Sequence, residues 1–333
     1  MKDIGAGVII TGCGSATPRQ ILTNDDLSQM VDTSDEWIRP RTGIKTRHLA
    51  SIDNSLAQLG AKAASDALLM AGLKASDIDL IVLATSTADD LFGSACQIQS
   101  LLGASRAVAF DLTAACSGFV FGLITVAQFI RMGVYRNVLL IGGDILSRWV
   151  DWSDRNTCIL FGDGAGAVVC QGSDEGDRLF GFEMCSDGTL NSYLNLPYQG
   201  QSKPLVNELS VAQGGYQLIS MNGREVYRFA VAKVPEVIEK ALFRAEMVIE
   251  DLDWLILHQA NQRIMDAVAS RLNIPNEKVI SNVAHYGNTS AASIPIALDE
   301  SVRKGKIKPG DRVAISGFGA GLTWGAAIFQ WGK

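Results

Sequence analysis

No thiol follows Cys185, and the six cysteines (13, 96, 116, 158, 170 and 185) contain no Cys-x-x-Cys pair. Neither a zinc knuckle nor a disulfide framework is indicated, and a reducing cytoplasm is the expected compartment. Blocks of basic residues are also missing: 29 Lys plus Arg stand against 35 Asp plus Glu, a formal net charge of −6. This argues against nucleic acid as the main partner, because such binding demands a concentrated positive field to displace counterions from phosphate. The longest apolar stretch, Gly118 to Ile130, is broken by Gln128 and falls short of the ~20 residues of a membrane span. It is expected to be a core helix, with no membrane association. Ile4 to Ile10 follows Asp3 and is punctuated by glycines, which predicts a first strand rather than a signal peptide, with the mature chain beginning near Met1.

What is present suits a large folded core. Hydrophobic residues make up 47% and charged residues only 19%, the opposite of a disordered composition. Thirty-three glycines against eight prolines suit an α/β protein with tight strand-to-helix turns. The 333 residues suggest about two domains at ~100 to 200 residues each.

An internal repeat supports that division. Asp77-Ile-Asp-Leu-Ile-Val-Leu83 returns as Asp251-Leu-Asp-Trp-Leu-Ile-Leu257, a shift of 174. Cys116 to Gly133 and Asn288 to Gly305 match at a shift of 172, each ending in Arg-x-Gly and each followed by a strand, Val138 to Ile141 and Val313 to Ser316. Two halves are expected, residues 1–175 and 176–333, with 176–220 as a connecting or covering segment. Its Gly-, Asn-, Ser- and Gln-rich stretch from about Ser186 to Gln217 shows little periodicity and is a candidate cleft cover. Short apolar runs alternating with helices imply parallel sheets covered on both faces. The helix opening at Cys116 is apolar nearly all round, as a helix buried between two sheets should be. Asn222-x-x-Glu225 resembles a capping box, with Pro235 starting or kinking the helix that follows.

The repeat makes a geometric prediction about chemistry. Cys116 and Asn288 hold matching places, so both should sit at helix N-termini near the pseudo-twofold axis. His258 follows a buried strand directly, at the carboxyl edge where open α/β sheets bind ligands. A thiol at a helix N-terminus is expected to fall from a pKa of ~8.5 towards 7. Singly, these residues read as a structural thiol, a hydrogen-bonded core imidazole and a helix cap; their conjunction points to a nucleophile with two polar partners. Gly162-Asp-Gly-Ala-Gly166 lacks dinucleotide spacing and leads towards another strand, so layer packing is expected there. Gly317-Phe-Gly-Ala-Gly321 follows a strand and lets an amide N–H approach a pocket, an oxyanion-hole candidate.

Seven segments taken in order carry a resemblance: Thr33-Ser-Asp-Glu-Trp37-Ile, Arg41-Thr-Gly-Ile44, Ala115-Cys-Ser-Gly118, Phe161-Gly-Asp-Gly-Ala-Gly-Ala167, His258-Gln-Ala-Asn-Gln-Arg263, Gly287-Asn-Thr-Ser-Ala-Ala-Ser293 and Phe318-Gly-Ala-Gly-Leu-Thr-Trp-Gly325. Together, over nearly the whole chain, they resemble the β-ketoacyl-acyl-carrier-protein synthase III family, the initiating condensing enzymes of fatty acid synthesis. The resemblance implies the thiolase fold: two pseudo-twofold-related α/β halves in five layers, αβαβα, with two buried central helices.

It also implies a mechanism. Cys116 would accept an acyl group, most often acetyl, from acyl-CoA. His258 and Asn288 would donate hydrogen bonds to the malonyl thioester of malonyl-acyl-carrier protein as carbon dioxide departs, and the carbanion would attack the acyl-cysteine. The N–H groups of Cys116 and Ala320 would hold the oxyanion. Thr33, Trp37, Arg41 and Arg155 would bind CoA, its adenine lying between Trp37 and Arg155. Arg228, Arg263 and Arg271 would receive the acidic carrier protein. The resemblance implies a homodimer and neither metal nor resident cofactor. Degradative thiolases use a second cysteine in the C-terminal half, which this chain lacks, and elongating synthases carry histidine where Asn288 stands.

Two departures stand out. At the acyl pocket formed across the family's dimer, Leu91 takes the place of a frequent phenylalanine, with Phe92 beside it, so the starter's length and branching stay open. Arg224 stands where many relatives have asparagine. His285 is expected to be non-catalytic and His48 to lie at the surface. A related acyl-CoA-dependent enzyme of polyketide or secondary metabolism is the alternative, and a silent acyl-CoA-binding protein on the same fold is a third reading.

Overall fold

The structure, a computed structural model, describes residues 7–332, so Ile4 to Ala6 of the expected first strand lie outside the described residues. Strands β1 (Gly7–Ala16), β2 (Leu80–Ala84), β3 (Val108–Leu112), β4 (Asn137–Asp144) and β5 (Gly164–Ser173) form one sheet in the order β1-β5-β4-β2-β3. Strands β6 (Leu179–Ser186), β7 (Trp254–Leu257), β8 (Val279–Ile280), β9 (Arg312–Gly319) and β10 (Thr323–Gln330) form a second in the order β6-β10-β9-β7-β8. The two orders are the same with each strand advanced by five, and the pairing directions match strand for strand.

These sheets are mixed, which corrects the expectation of purely parallel ones. β2, β3 and β4 run parallel, as do β7, β8 and β9, whereas β1, β5, β6 and β10 pair antiparallel. Ala320–Leu322, the only residues between β9 and β10, are too few for a parallel crossover and close a hairpin instead.

Five layers result. Helices α1 (Leu56–Ala71) and α2 (Ala95–Leu102) cover the outer face of the first sheet, where Ala63, Ala64 and Ala67 are fully buried. α1 is set by local chemistry: Ser55 and Gln58 form a capping box, and Gly72 ends the helix in the left-handed region. Helices α4 (Gly223–Arg244) and α5 (Gln262–Arg271) cover the second sheet. Asn222 caps α4 by accepting from the Glu225 N–H, and the helix runs on through Pro235. Between the sheets lie α3 (Gly118–Arg131) and α6 (Ser293–Arg303), whose apolar side chains form one core with both sheets. β5, opened by the Gly162–Gly166 segment, packs against α6 as layer packing requires.

The repeat register needs one correction. A short 3₁₀ turn precedes each central helix, Ala115–Ser117 and Ser290–Ala292, and its first residue is left-handed in both halves, Ala115 at φ 46° and Ser290 at φ 51°. Ala115 therefore matches Ser290, and Asn288 lies two residues before the second turn rather than opposite Cys116. The sequence match at 172 was set by the helix ends; α3 has 14 residues and α6 only 11, so the starts fall out of step. The low-periodicity stretch is also more regular than expected, with a 3₁₀ turn over Gly188–Tyr193 and a hairpin of Tyr198–Pro204 with Ser210–Tyr216. Both hairpin strands are exposed along their whole length, so neither carries an apolar alternation to read.

Candidate active site

Cys116 sits in the turn that opens α3, and its backbone is pressed against β9. A Cβ on Gly319 would stand 2.6 Å from the Cys116 nitrogen, so only glycine permits this approach. Cys116 is buried, 8% exposed. Burial pushes its pKa up to about 12, with the Ser290 hydroxyl pulling the other way. The expected acidic thiol is thus overturned for the free chain: desolvation outweighs the helix N-terminus.

His258 is buried at the carboxyl end of β7, its N–H donating to the Ser316 carbonyl at 2.8 Å. Its Nδ1 lies 2.7 Å from Ser293 Oγ, which itself accepts the Gln259 N–H at 3.3 Å. A Ser293 hydroxyl that donates to Nδ1 leaves Nε2 carrying the ring's N–H. Burial pushes the imidazole pKa down to about 3, so the ring is neutral.

Asn288 is oriented by the same logic. Its N–H donates to Leu160 O at 2.8 Å and its carbonyl accepts from Gly162 N at 3.0 Å, tying it to the first half. Its Oδ1 accepts the Ser290 N–H at 2.9 Å, and no protein acceptor is seen for its Nδ2 among the described residues. The carboxamide is left as a donor.

Cys116, His258 and Asn288 line one cleft of about 520 Å³, with Phe318 and Gly319 on its wall. An adjoining cleft of about 680 Å³ reaches Trp37 and Arg41. Leu160, Met221, Gly223, Arg224, Asn261 and Arg263 line both, so the cleft that holds the thiol and the one that reaches Trp37 share a wall that includes Arg224.

The other expected residues fall as follows. The Arg41 and Arg155 guanidinium carbons each stand 4.6 Å from the Trp37 ring centroid, too close for a third ring between either pair. Arg155 also donates to the Asp32 carbonyl at 2.9 Å. Thr33 Oγ1 is buried and has no hydrogen-bond partner among the described residues. Arg228 and Arg263 line the first cleft, Arg228 paired with Glu225 at 3.0 Å. Arg271 is exposed, away from both clefts, donating to Val231 O. Leu91 and Phe92 are 82% and 97% exposed and touch neither cleft in the single chain. Ala320 follows Gly319 beside the thiol's turn. His285 is exposed, while His48 is half-buried in a short strand, its Nδ1 2.6 Å from Pro18 O.

Three residues escaped the sequence reading: Ser290, Ser293 and Asp144. The serines stand inside the Gly287–Ser293 motif but gave no separate signal. Asp144, wholly buried at the end of β4, accepts from Thr85 and Thr87 Oγ1, from Ser86 N and, at 3.3 Å, from Ala291 N. Among the described residues, no group of three or more His, Cys, Asp or Glu could hold a metal ion, and no helix is long and apolar enough to cross a membrane.

Two pseudosymmetric halves in five layers, with a cysteine at the head of one central helix, define a condensing enzyme of the thiolase fold, an acyltransferase. Family models described as 3-oxoacyl-[acyl-carrier-protein] synthase III and its C-terminal part match residues 110–188 and 242–331. A β-ketoacyl-[acyl-carrier-protein] synthase III of Acaryochloris marina is 68% identical over 99% of both chains, and one of Synechocystis is 65% identical over 99% of this chain and 100% of its own. The chain belongs to the β-ketoacyl-[acyl-carrier-protein] synthase III family. The crystal structure of the Aquifex aeolicus 3-oxoacyl-[acyl-carrier-protein] synthase III is similar at TM-score 0.90 and 43% identity, over 98% of this chain and 100% of that one. The priming β-ketosynthase of the R1128 polyketide pathway shares the fold at TM-score 0.91, covering 100% of this chain and 99% of its own, but at only 32% identity. The polyketide alternative is not favoured.

Proposed function

We propose that the chain condenses acetyl-CoA, or another short acyl-CoA, with malonyl-acyl-carrier protein, giving a 3-oxoacyl-carrier protein, carbon dioxide and free CoA. Cys116 is the acylated nucleophile. The N–H groups of Cys116 and Ala320 hold the oxyanion of each tetrahedral intermediate, where loss of one donor typically costs ~3 to 4 kcal/mol. His258, through Nε2–H, and Asn288, through its NH₂, donate to the malonyl thioester oxygen as the carboxylate leaves. Loss of carbon dioxide supplies the carbanion without removal of a proton from carbon, so donors serve better than a strong base and the reading requires neither metal nor resident cofactor. The observation that carries this reading is the preparation of two neutral donors beside one thiol in a single cleft.

Thr33, Trp37, Arg41 and Arg155 bind CoA. The buried, unpaired Thr33 Oγ1 supports this, as does the affinity of guanidinium for phosphate. Adenine enters only when Arg155 swings off Trp37. Arg228, Arg263 and Arg271, all exposed, receive the acidic carrier protein. Homodimerisation is supported by the exposed Leu91 and Phe92 and by the edge strand β3, whose Val108 and Phe110 are also exposed; a partner would bring residues 91 and 92 to the acyl pocket. The halves divide near residue 175, and six free cysteines suit the cytoplasm.

The test separates the half-reactions. Cys116→Ala should abolish acyl transfer from acetyl-CoA, whereas His258→Ala and Asn288→Ala should still be acetylated but fail to decarboxylate malonyl-carrier protein. Equal loss of both half-reactions in the latter pair would contradict these roles.

A further inference from the structure

The turn behind Asn288 carries a hydroxyl that its backbone does not need. Ser290 is left-handed at φ 51°, and its counterpart Ala115 makes the same turn at φ 46° with a bare methyl group. Ser290 is buried, and its hydroxyl donates to Cys116 Sγ at 3.2 Å. Among the described residues no other side chain hydrogen-bonds this sulfur. One residue thus serves two neighbours: its N–H holds Asn288 Oδ1, and its hydroxyl meets the thiol.

We propose that Ser290 is a further catalytic residue, whose hydroxyl donates to the Cys116 sulfur and stabilises it whenever it is anionic, an inference that rests on Cys116 being the acylated residue. Sulfur carries negative charge twice in each cycle. As a thiolate it attacks the thioester carbonyl of acyl-CoA, its electron pair forms the new carbon–sulfur bond, and CoA leaves as a thiolate. In condensation the carbanion attacks the acyl carbon, the carbon–sulfur bond breaks, and its electron pair returns to Cys116. Between these events the sulfur is part of an uncharged thioester. The hydroxyl therefore contributes most where charge stands on sulfur, because a hydrogen bond to an ion is roughly twice as strong as one between neutral groups.

The surroundings make such a donor count. Burial opposes the thiolate, and the Asp144 carboxylate at the end of β4 opposes it further by its charge, whereas the Ser290 hydroxyl favours it. His258, on the cleft wall with Cys116, is held neutral by burial and supplies no positive charge. Arg224, Arg228 and Arg263 line the same cleft without a hydrogen bond to the sulfur. A hydroxyl donor, together with the helix N-terminus, is what the site offers the anion in place of a cation.

Alkylation of Cys116 by iodoacetamide on the full chain, read by peptide mapping from neutral to alkaline pH, tests the donor. Ser290→Ala should move the profile about one pH unit higher. Alkylation at neutral pH should slow about threefold, since a tenfold smaller thiolate fraction is partly offset by a more nucleophilic thiolate. The fold should survive, because Ala115 already occupies the equivalent turn. Ser290→Gly removes the same hydroxyl while favouring the left-handed backbone, so it should shift the profile equally. An unshifted profile in Ser290→Ala would overturn the proposal. So would a shift in Ser290→Ala that Ser290→Gly does not share, because the backbone rather than the hydroxyl would then be responsible. Where only one of the two folds, its profile decides. Acetylation of the unaltered chain by acetyl-CoA, followed in parallel, shows separately whether Cys116 is the acylated residue.

Discussion

Two serines decide what their neighbours can do. Ser293 pairs with His258 Nδ1, and where its hydroxyl donates there the ring presents Nε2–H; the Ser290 N–H occupies Asn288 Oδ1, so the carboxamide presents its NH₂. Removing the donor in Asn288→Ala should slow decarboxylation of malonyl-carrier protein by about 10²- to 10³-fold. A loss below tenfold would mean that the carboxamide does not face the developing negative charge. Ser293→Ala should slow the same step by about twofold, because Nδ1 and Nε2 then share the ring proton; an unchanged rate would show that Ser293 does not set the tautomer. The residue types of the triad were legible because they fell in family-like motifs, although the repeat register that set Asn288 opposite Cys116 was out of step with the structure. Asp144 was not, since its partners lie 57 to 59 residues away in Thr85, Ser86 and Thr87 and 147 away in Ala291, with no local pattern linking them. The acidity expected of Cys116 failed for a related reason: burial is a tertiary property and here exceeds the local helix effect.

Among the elements, the join between β4 and the second 3₁₀ turn is a tight constraint on the site. A Cβ on Gly142 would stand 2.3 Å from the Ala291 carbonyl oxygen, a backbone atom in the turn that also carries Ser290. No flexible side-chain end can yield there. Gly142→Ala gains backbone entropy of ~1 kcal/mol at most, while overpacking costs roughly 1 to 3 kcal/mol or more. Net destabilisation with a fall in condensation is expected, measurable by urea unfolding and by product formation. A variant at least as stable as the parent would show that the halves are not locked here. Strand and helix types, the capped start of α4 and the duplicated order were readable from periodicity and punctuation. Strand direction was not, because an apolar run looks the same in either direction, and only the three-residue link between β9 and β10 forces them antiparallel. The hairpin over residues 198–216 was missed because it buries neither face.

For the whole molecule, the buried imidazole ties stability to pH. In the unfolded chain His258 takes a proton below about pH 6.5, whereas the folded chain resists until about pH 3. Its contribution to stability is therefore complete above 6.5 and is lost as pH falls towards 3, at most about 3 kcal/mol by pH 4. Urea unfolding from pH 7 to pH 4 should show a shallower decline for His258→Gln than for the parent; identical slopes would mean that the ring is protonated in the folded state. Cys116 acts at the other end, since a thiol raised to about 12 from 9.0 removes stability as pH rises between those values.

The duplicated architecture brings a thiol from one half against a hydroxyl, a carboxamide and an imidazole from the other, and the whole account depends on that sulfur carrying the acyl group. The direct measurement is incubation of the full chain with acetyl-CoA alone, followed by intact mass and peptide mapping. The account predicts one acetyl group, on the peptide containing Cys116, and its discharge on addition of malonyl-carrier protein. A folded chain left unmodified, or acetylated only at another cysteine, would contradict it.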